Sequence, residues 1–171
     1  CITYSGSTEV GRKAISISLT VPASVKPSLT SLTATRVDGS VPAAWATYVK
    51  GKSKVTLAIS GAAGSYGSTI KGYSISGGGY SSTASSYTTG YLNTTGTITF
   101  TAYVTDSRGR KSDSKTVSIT VYDYTAPTIT AFTAYRCNSS GTADPSNGTY
   151  IKCSGSYSIA SVNGKNSATT H

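Results

Sequence analysis

The stretch "PSLTSLTATR" at residues 27–36 returns one hundred residues later as "PTITAFTAYR" at 127–136. Pro, two Thr, Ala and Arg recur in place. The apolar positions are exchanged for other apolar residues, Leu29 for Ile129 and Leu32 for Phe132. The match runs backward without a gap, "ISLTV" (17–21) lying over "VSITV" (117–121). Abundant Ser and Thr produce some identities by chance, but they do not keep a Pro, an Arg and the apolar character of each swapped position. Self-similarity at a fixed period marks a chain assembled from repeated modules. Whatever the fold, it has to close within about 100 residues, which is enough for an independent core.

The interval 25–124 holds one complete repeat and reads as a series of short strands. "SLTSLTATR" (28–36) alternates apolar and polar residues after Pro27, as suits a first or edge strand. "KVTLAIS" (54–60) places Val55, Leu57 and Ile59 on one face and Lys54, Thr56 and Ala58 on the other. "STIKGYSIS" (68–76) is a third strand, ended by Gly77, Gly78 and Gly79, and "TASSYTTG" (83–90) is a weaker fourth. In "GTITFTAYVTD" (96–106) Ile98, Phe100, Ala102 and Val104 point one way. After the turn "DSRG" (106–109), "SKTVSITVYD" (114–123) returns with Val117, Ile119 and Val121 inward. Phe100 and Leu57 are expected to face each other across a core. Strands of this length with turn signals every ten or so residues predict an all-β fold of tandem immunoglobulin-like, fibronectin III-like β-sandwich modules.

The repeat then sets the flanks. Residues 1–24 are expected to be closing strands of a preceding module, because "GRKAISISLTV" echoes "GRKSDSKTVSITV". Residues 125–171 are expected to open the next one, because "TYIKCSGSYSIAS" (149–161) echoes "TYVKGKSKVTLAIS" (47–60). On this reading the chain is a piece of a longer protein. Its short connector "YDYTAP" (122–127) makes successive modules a semi-rigid rod. Trp45, the sole Trp, reads as core or module-junction packing.

Composition agrees. Thirty Ser and 28 Thr stand beside 13 Tyr, with no Met or Gln and Glu9 as the only glutamate. That is the vocabulary of pleated, half-buried surfaces rather than of helices. No apolar run approaches the ~20 residues of a membrane span, so no membrane insertion is expected, and no secretory leader is visible. Fifteen Lys and Arg against six acids give a net charge of +9, which favours contact with a polyanion. Three Cys are too few for a disulfide framework; Cys137 and Cys153 are readable either as a pair or as two small half-buried thiols.

Candidate chemistry is sparse. His171 is the sole histidine, and the five aspartates are scattered. Asp106 in "TDSRGR" is readable as a catalytic acid or as an Asp bonding its own turn before Gly109, and the turn preference favours the second. Asp144 and the amides of "NSSGTADPSNG" (138–148) supply one acid, too few for a good calcium site. Gly77–Gly79 lack the Lys-Ser/Thr and the helix of a phosphate loop. Sequons at Asn93, Asn138 and Asn147 are the number expected in a chain so rich in Ser and Thr. The reading is therefore a non-enzyme without a cofactor, a metal site or catalytic residues. Two basic features remain as possible polyanion contacts. Lys50, Lys52 and Lys54 alternate on the solvent face entering the second strand, and Arg108, Arg110 and Lys111 crowd the hairpin turn at the opposite pole. Tyr residues spread along the whole chain, rather than interleaved with these cations, argue against nucleic acid.

The stretches "AYVTDSRGRKS" (102–112), "YDYTAPTITAFTAYRCNSSGTAD" (122–144) and "SVNGKNSATT" (161–170) resemble a family of minor structural proteins from siphophages of Gram-positive bacteria. The resemblance covers about 100–171 well and the first module more loosely. It implies a virion protein of the tail, baseplate or fibre: a spacer that contributes to host-surface attachment, with other virion proteins, copies of itself and cell-wall polysaccharide or teichoic acid as partners. The family offers no catalytic residues to carry over. Two alternatives share the repeat plan: a binding or stalk module of a bacterial surface adhesin, and an accessory wall- or sugar-binding module of an enzyme.

Overall fold

Alternating β-branched and aromatic residues separated by Gly and Pro leave extended strands as the economical backbone solution. In the computed structural model, which describes residues 1–169, the described residues form twelve strands and a single 3-10 turn at Ala43–Trp45. The first two, β1 (Ile2–Ser5) and β2 (Thr8–Arg12), make an exposed antiparallel hairpin. The next eight are β3 (Ser31–Val37), β4 (Tyr48–Val49), β5 (Lys54–Ser60), β6 (Ile70–Gly77), β7 (Tyr80–Ser82), β8 (Ser86–Thr88), β9 (Gly96–Asp106) and β10 (Lys115–Tyr122). Last come β11 (Thr128–Cys137) and β12 (Tyr150–Ser158), paired with each other.

The eight central strands form a β-sandwich. One sheet has the order β3-β5-β8 and the other β4-β10-β9-β6-β7. Leu32, Val55 and Leu57 from the first meet Ile75, Ile98, Phe100, Ala102, Ile119 and Val121 from the second, with Leu92 closing the space between β8 and β9. Leu57 and Phe100 are both fully buried in this one cluster, as the alternation predicts. The outer faces carry the Ser and Thr. Thr99 and Ser118 pair through their hydroxyls at 2.9 Å, and Thr56 with Thr88 and Ser31 with Ser60 each at 2.8 Å. Such cross-strand pairs contribute roughly 0.2–1 kcal/mol each and keep both outer surfaces wettable without giving up strand preference.

Several expectations need correction. The alternation in 28–36 is broken: Leu29 and Leu32 lie three apart, yet both are buried, each only 6% exposed. The chain jogs at Thr30, whose N–H reaches Ser60. Gly61 makes room for the jog, since a Cβ at its φ of +63° would stand 2.0 Å from the Thr30 hydroxyl. In the second copy a register shift falls between Ile129 and Ala131, and Ile129 and Phe132 line one groove. The strand expected over 83–90 shrinks to β8, while β4 and β7 were not anticipated because two or three residues carry no periodicity. Gly77–Gly79 form the tight turn into β7.

The flanks also differ. Residues 14–21 have the pattern of a strand but join no ladder, and Ile15, Ile17, Leu19 and Val21 are exposed. A strand needs hydrogen-bonding neighbours, and the β1–β2 hairpin does not supply them here. The stretches 27–36 and 127–136 do enter the equivalent strands, β3 and β11, each first in an antiparallel pair. Arg36 stands opposite Val55 and Arg136 opposite Ile151. The connecting loop in the second copy is four residues shorter, 138–149 against 38–53. The "TYVK" and "TYIK" echoes are therefore not equivalent. Tyr48 and Val49 run parallel to β10 on the five-stranded sheet, whereas Tyr150 and Ile151 belong to the partner strand of β11.

Candidate functional site

The lysines at 50, 52 and 54 do not share a strand face. Val49 ends β4, and residues 50–53 make a turn in which the N–H groups of Lys52 and Ser53 donate to the Val49 carbonyl at 3.1 and 2.9 Å. The buried Ser53 hydroxyl accepts the Val49 N–H at 3.0 Å, and the Lys50 N–H donates to Tyr122 at 2.9 Å, so the turn is stapled to β10. The cations fan outward from it. Lys50 is exposed, Lys52 Nζ lies 4.8 Å from the Tyr124 ring centroid, and Lys54 Nζ lies 4.7 Å from that of Tyr91. The alternation was misread because the chain reverses between Lys50 and Lys54.

The second cluster sits at the far end of β9 and β10. Gly96 and Val121 pair at the lysine end, while Asp106 and Lys115 mark the other. Ten steps of about 3.3 Å separate the poles by roughly 30 Å. Asp106 is buried at this second turn and is not a free acid. It accepts the backbone N–H groups of Arg108 and Arg110 at 3.0 and 2.9 Å and pairs with the Arg110 guanidinium at 3.1 Å. Burial acts to raise its pKa, but the Arg110 and Arg108 N–H groups, the Ser68 hydroxyl and the Arg110 charge outweigh it and hold the carboxyl below its ordinary value. Arg108 is equally engaged, donating to the carbonyls of Ser65 and Tyr66 at 3.1 and 2.7 Å. Lys111 lies over the Tyr103 ring at 4.7 Å, and the Ser74 hydroxyl together with Lys111 lowers the Tyr103 pKa.

Of the six basic residues, Lys50 has no described side-chain partner, Lys52, Lys54 and Lys111 each lie over a tyrosine, and Arg108 and Arg110 brace the turn. The tyrosines were read as scattered; the fold brings three of them under lysines. Tyr124 and Tyr91 lie far along the chain from their partners, so no local pattern announces these pairs.

The remaining candidates resolve as structure. In the 138–148 loop the Asn138 side chain accepts the N–H groups of Ser140 and Thr142, both at 3.0 Å, and Asp144 accepts that of Asn147 at 2.9 Å, so the acid caps its own turn. Among the described residues no three of His, Cys, Asp or Glu come together, and no helix is long and apolar enough to cross a membrane. His171 lies outside the described residues. Cys137 and Cys153 are free: Cys153 stands opposite Ala134, three positions from Cys137, which puts the two thiols on opposite faces of the β11–β12 ribbon.

A junction that the sequence only hinted at lies at the lysine pole. Val162 is fully buried against Val41 and Val49, with Trp45, Tyr122 and Tyr124 packed around them. Its loop is held by Asn166, whose side chain accepts the Val162 N–H and donates to the Ala160 carbonyl, both at 2.7 Å.

These features define an all-β sandwich protein whose polar groups serve turns and surfaces. Residues 1–145 match the family described as a siphovirus protein of unknown function (DUF859), and the chain belongs to that family of phage proteins. The match takes in the whole central sandwich and stops before "SVNGKNSATT", whereas the resemblance read from the sequence was strongest over 100–171. No curated protein matches the chain.

Proposed function

We propose that the chain is a virion structural protein of a siphophage tail, baseplate or fibre, a non-enzymatic spacer built from tandem immunoglobulin-like modules that also makes weak contacts with the host wall. The observation that carries this is the duplicated first strand. β3 and β11, entered by matching sequence one hundred residues apart, each pair antiparallel with the next long strand, in a chain of a siphovirus family. The order β3-β5-β8 against β4-β10-β9-β6-β7 supports the immunoglobulin-like plan, with β3, β5 and β8 as strands A, B and E, and β6, β9 and β10 as C, F and G. The modules are 1–24, 25–124 and 125–171, and the Val162 junction supports a stiff connection between the last two. Lys50, Lys52, Lys54 and Lys111, with the exposed edge of Arg108, are the groups offered to teichoic acid or wall polysaccharide. Each pole alone binds weakly, and many copies on one particle make the contact useful.

The test is immunogold labelling of purified siphophage particles with antibody raised against the chain. Label on the tail shaft, tip or fibres supports the proposal. Particles free of label, with label on the bacterial surface instead, would favour a host adhesin and overturn it.

A further inference from the structure

Of the three lysines that lie over tyrosines, Lys111 alone has its tyrosine within a strand. Tyr103 belongs to β9, whereas Tyr91 and Tyr124 sit in connecting segments. Phe100, Ala102 and Val104 of β9 are buried, so side-chain parity sends Tyr103 to the outer face of the five-stranded sheet. Ser74 of β6 stands directly opposite it on that face, and Lys111 bridges Thr105, the next outward residue of β9. Lys111 Nζ lies 4.7 Å from the Tyr103 ring centroid. The Ser74 hydroxyl, and then Lys111, lower the Tyr103 pKa, which places all three polar heads at one spot. Gly72, the next outward residue of β6, leaves the approach open: a Cβ there would meet only the Thr105 Cβ, at 3.9 Å.

The spot is cationic, rich in hydroxyls and free of acids. Asp106 points inward and pairs with Arg110, Asp113 pairs with Lys26, Asp38 with Arg36, and Asp123 accepts the Tyr124 N–H at the other pole. The cluster is built wholly from the central sandwich and lies on its flank. The joining segments attach at the poles, around Asp113 and Lys115 and around Val41 and Val49. One ammonium and two hydroxyl donors suit the two free oxygens of a phosphodiester. Lys111 lies over the ring, so Tyr103 offers its hydroxyl rather than a surface for stacking a base or a pyranose. Thr101 and Thr99 continue the outer face of β9, with Thr116 and Ser118 of β10 beside them, and supply hydroxyls to polyol oxygens. We infer that Ser74, Tyr103 and Lys111 form a phosphate subsite that holds one phosphodiester of a polyol-phosphate wall polymer, its carbon chain running over the threonines. The inference rests on the wall-contact reading above. It selects a polyol phosphate over a neutral polysaccharide, and the flank of a sheet over the turns.

Titration of the full chain with a synthetic glycerol-phosphate oligomer at low salt, followed by amide chemical shifts, tests this. The oligomer is expected to shift Ser74, Tyr103, Thr105 and Lys111. Tyr103→Phe keeps the ring under Lys111 and removes only the hydroxyl. Affinity is then expected to fall about tenfold, the loss of one hydrogen bond to a charged group. Ser74→Ala and Lys111→Gln are expected to weaken binding as well, while Lys54→Gln, on the other sheet, leaves the shifts at this site unchanged. Unfolding followed by Trp45 fluorescence verifies that each variant keeps the sandwich intact. Three results overturn the proposal: no binding, binding that Tyr103→Phe leaves unaltered, and equal binding of polyglutamate or of an oligothymidylate, which marks charge attraction alone. Each of these removes the subsite and leaves the virion assignment standing, because that is judged by labelling the particle. Label absent from the tail, with the oligomer still bound at Tyr103, removes the virion role and keeps the subsite.

Discussion

Replacing Phe100 by Ala tests the assignment of the inward face of β9. The ring is fully buried between the two sheets, in the cluster that also holds Leu57 and Ile75. A phenylalanine buries about 150–250 Å². Truncation to Ala forfeits roughly 150 Å² of it, which at about 25 cal/mol per Å² amounts to about 4 kcal/mol. Both walls of the site are hydrogen-bonded sheet, so little collapse is available to refill the cavity, and the cost falls within the ~3–5 kcal/mol found for Phe→Ala in packed cores. Guanidinium unfolding followed by the fluorescence of Trp45, the only Trp, reads this from the central sandwich. The midpoint should fall while the slope stays unchanged, because the surface exposed on unfolding is nearly the same. Ile17→Ala, at an exposed position, serves as the control and should change stability by no more than about 0.5 kcal/mol. A loss below about 1 kcal/mol for Phe100→Ala, at unchanged slope, would refute the packing argument, since the cavity penalty would be missing.

Val162→Ala should loosen the junction by about 1–2 kcal/mol, read as a red-shifted Trp45 emission and faster proteolysis within 158–167, with the central unfolding midpoint little changed. Gly61→Ala should destabilise the sandwich by more than about 1 kcal/mol, because it adds a strained positive φ to a collision with Thr30; thermal unfolding measures it. Asp106 has a depressed folded pKa, so its stabilising contribution is present above about pH 4 and is lost as pH falls through the folded value. Asp106→Asn should therefore flatten the acid limb of a stability–pH profile, and an unchanged limb would contradict the assignment. Changing Lys50, Lys52, Lys54 and Lys111 together to Ser, with Arg110 kept to pair buried Asp106, should abolish salt-sensitive binding to Gram-positive walls. Equal binding by variant and parent at low salt would remove the wall-contact role.

Local pattern determined a good deal of this protein. The alternation in 54–60 and 96–106 placed β5 and β9 at their observed bounds and picked their inward residues, because in a strand the choice of face follows directly from side-chain parity. The recurrence of Pro, Arg and the apolar pair located β3 and β11, because the same local pattern enters an antiparallel pair in both places. Asp106 was readable as a turn residue because its turn partners, Arg108 and Arg110, lie within four positions. Tertiary structure decided whatever depended on a distant partner. Residues 15–21 carry a strand pattern, yet no strand forms, because a ladder is a property of two chains of backbone and only one is there. Leu29 and Leu32 share a face only because Gly61, just past the end of β5, leaves room for the jog at Thr30. The same dependence put tyrosines beneath Lys52 and Lys54 and drove Val162 into the pole of the central sandwich. Those contacts join residues that lie far apart along the chain, and a period of two in sequence carries no information about which loops meet in space.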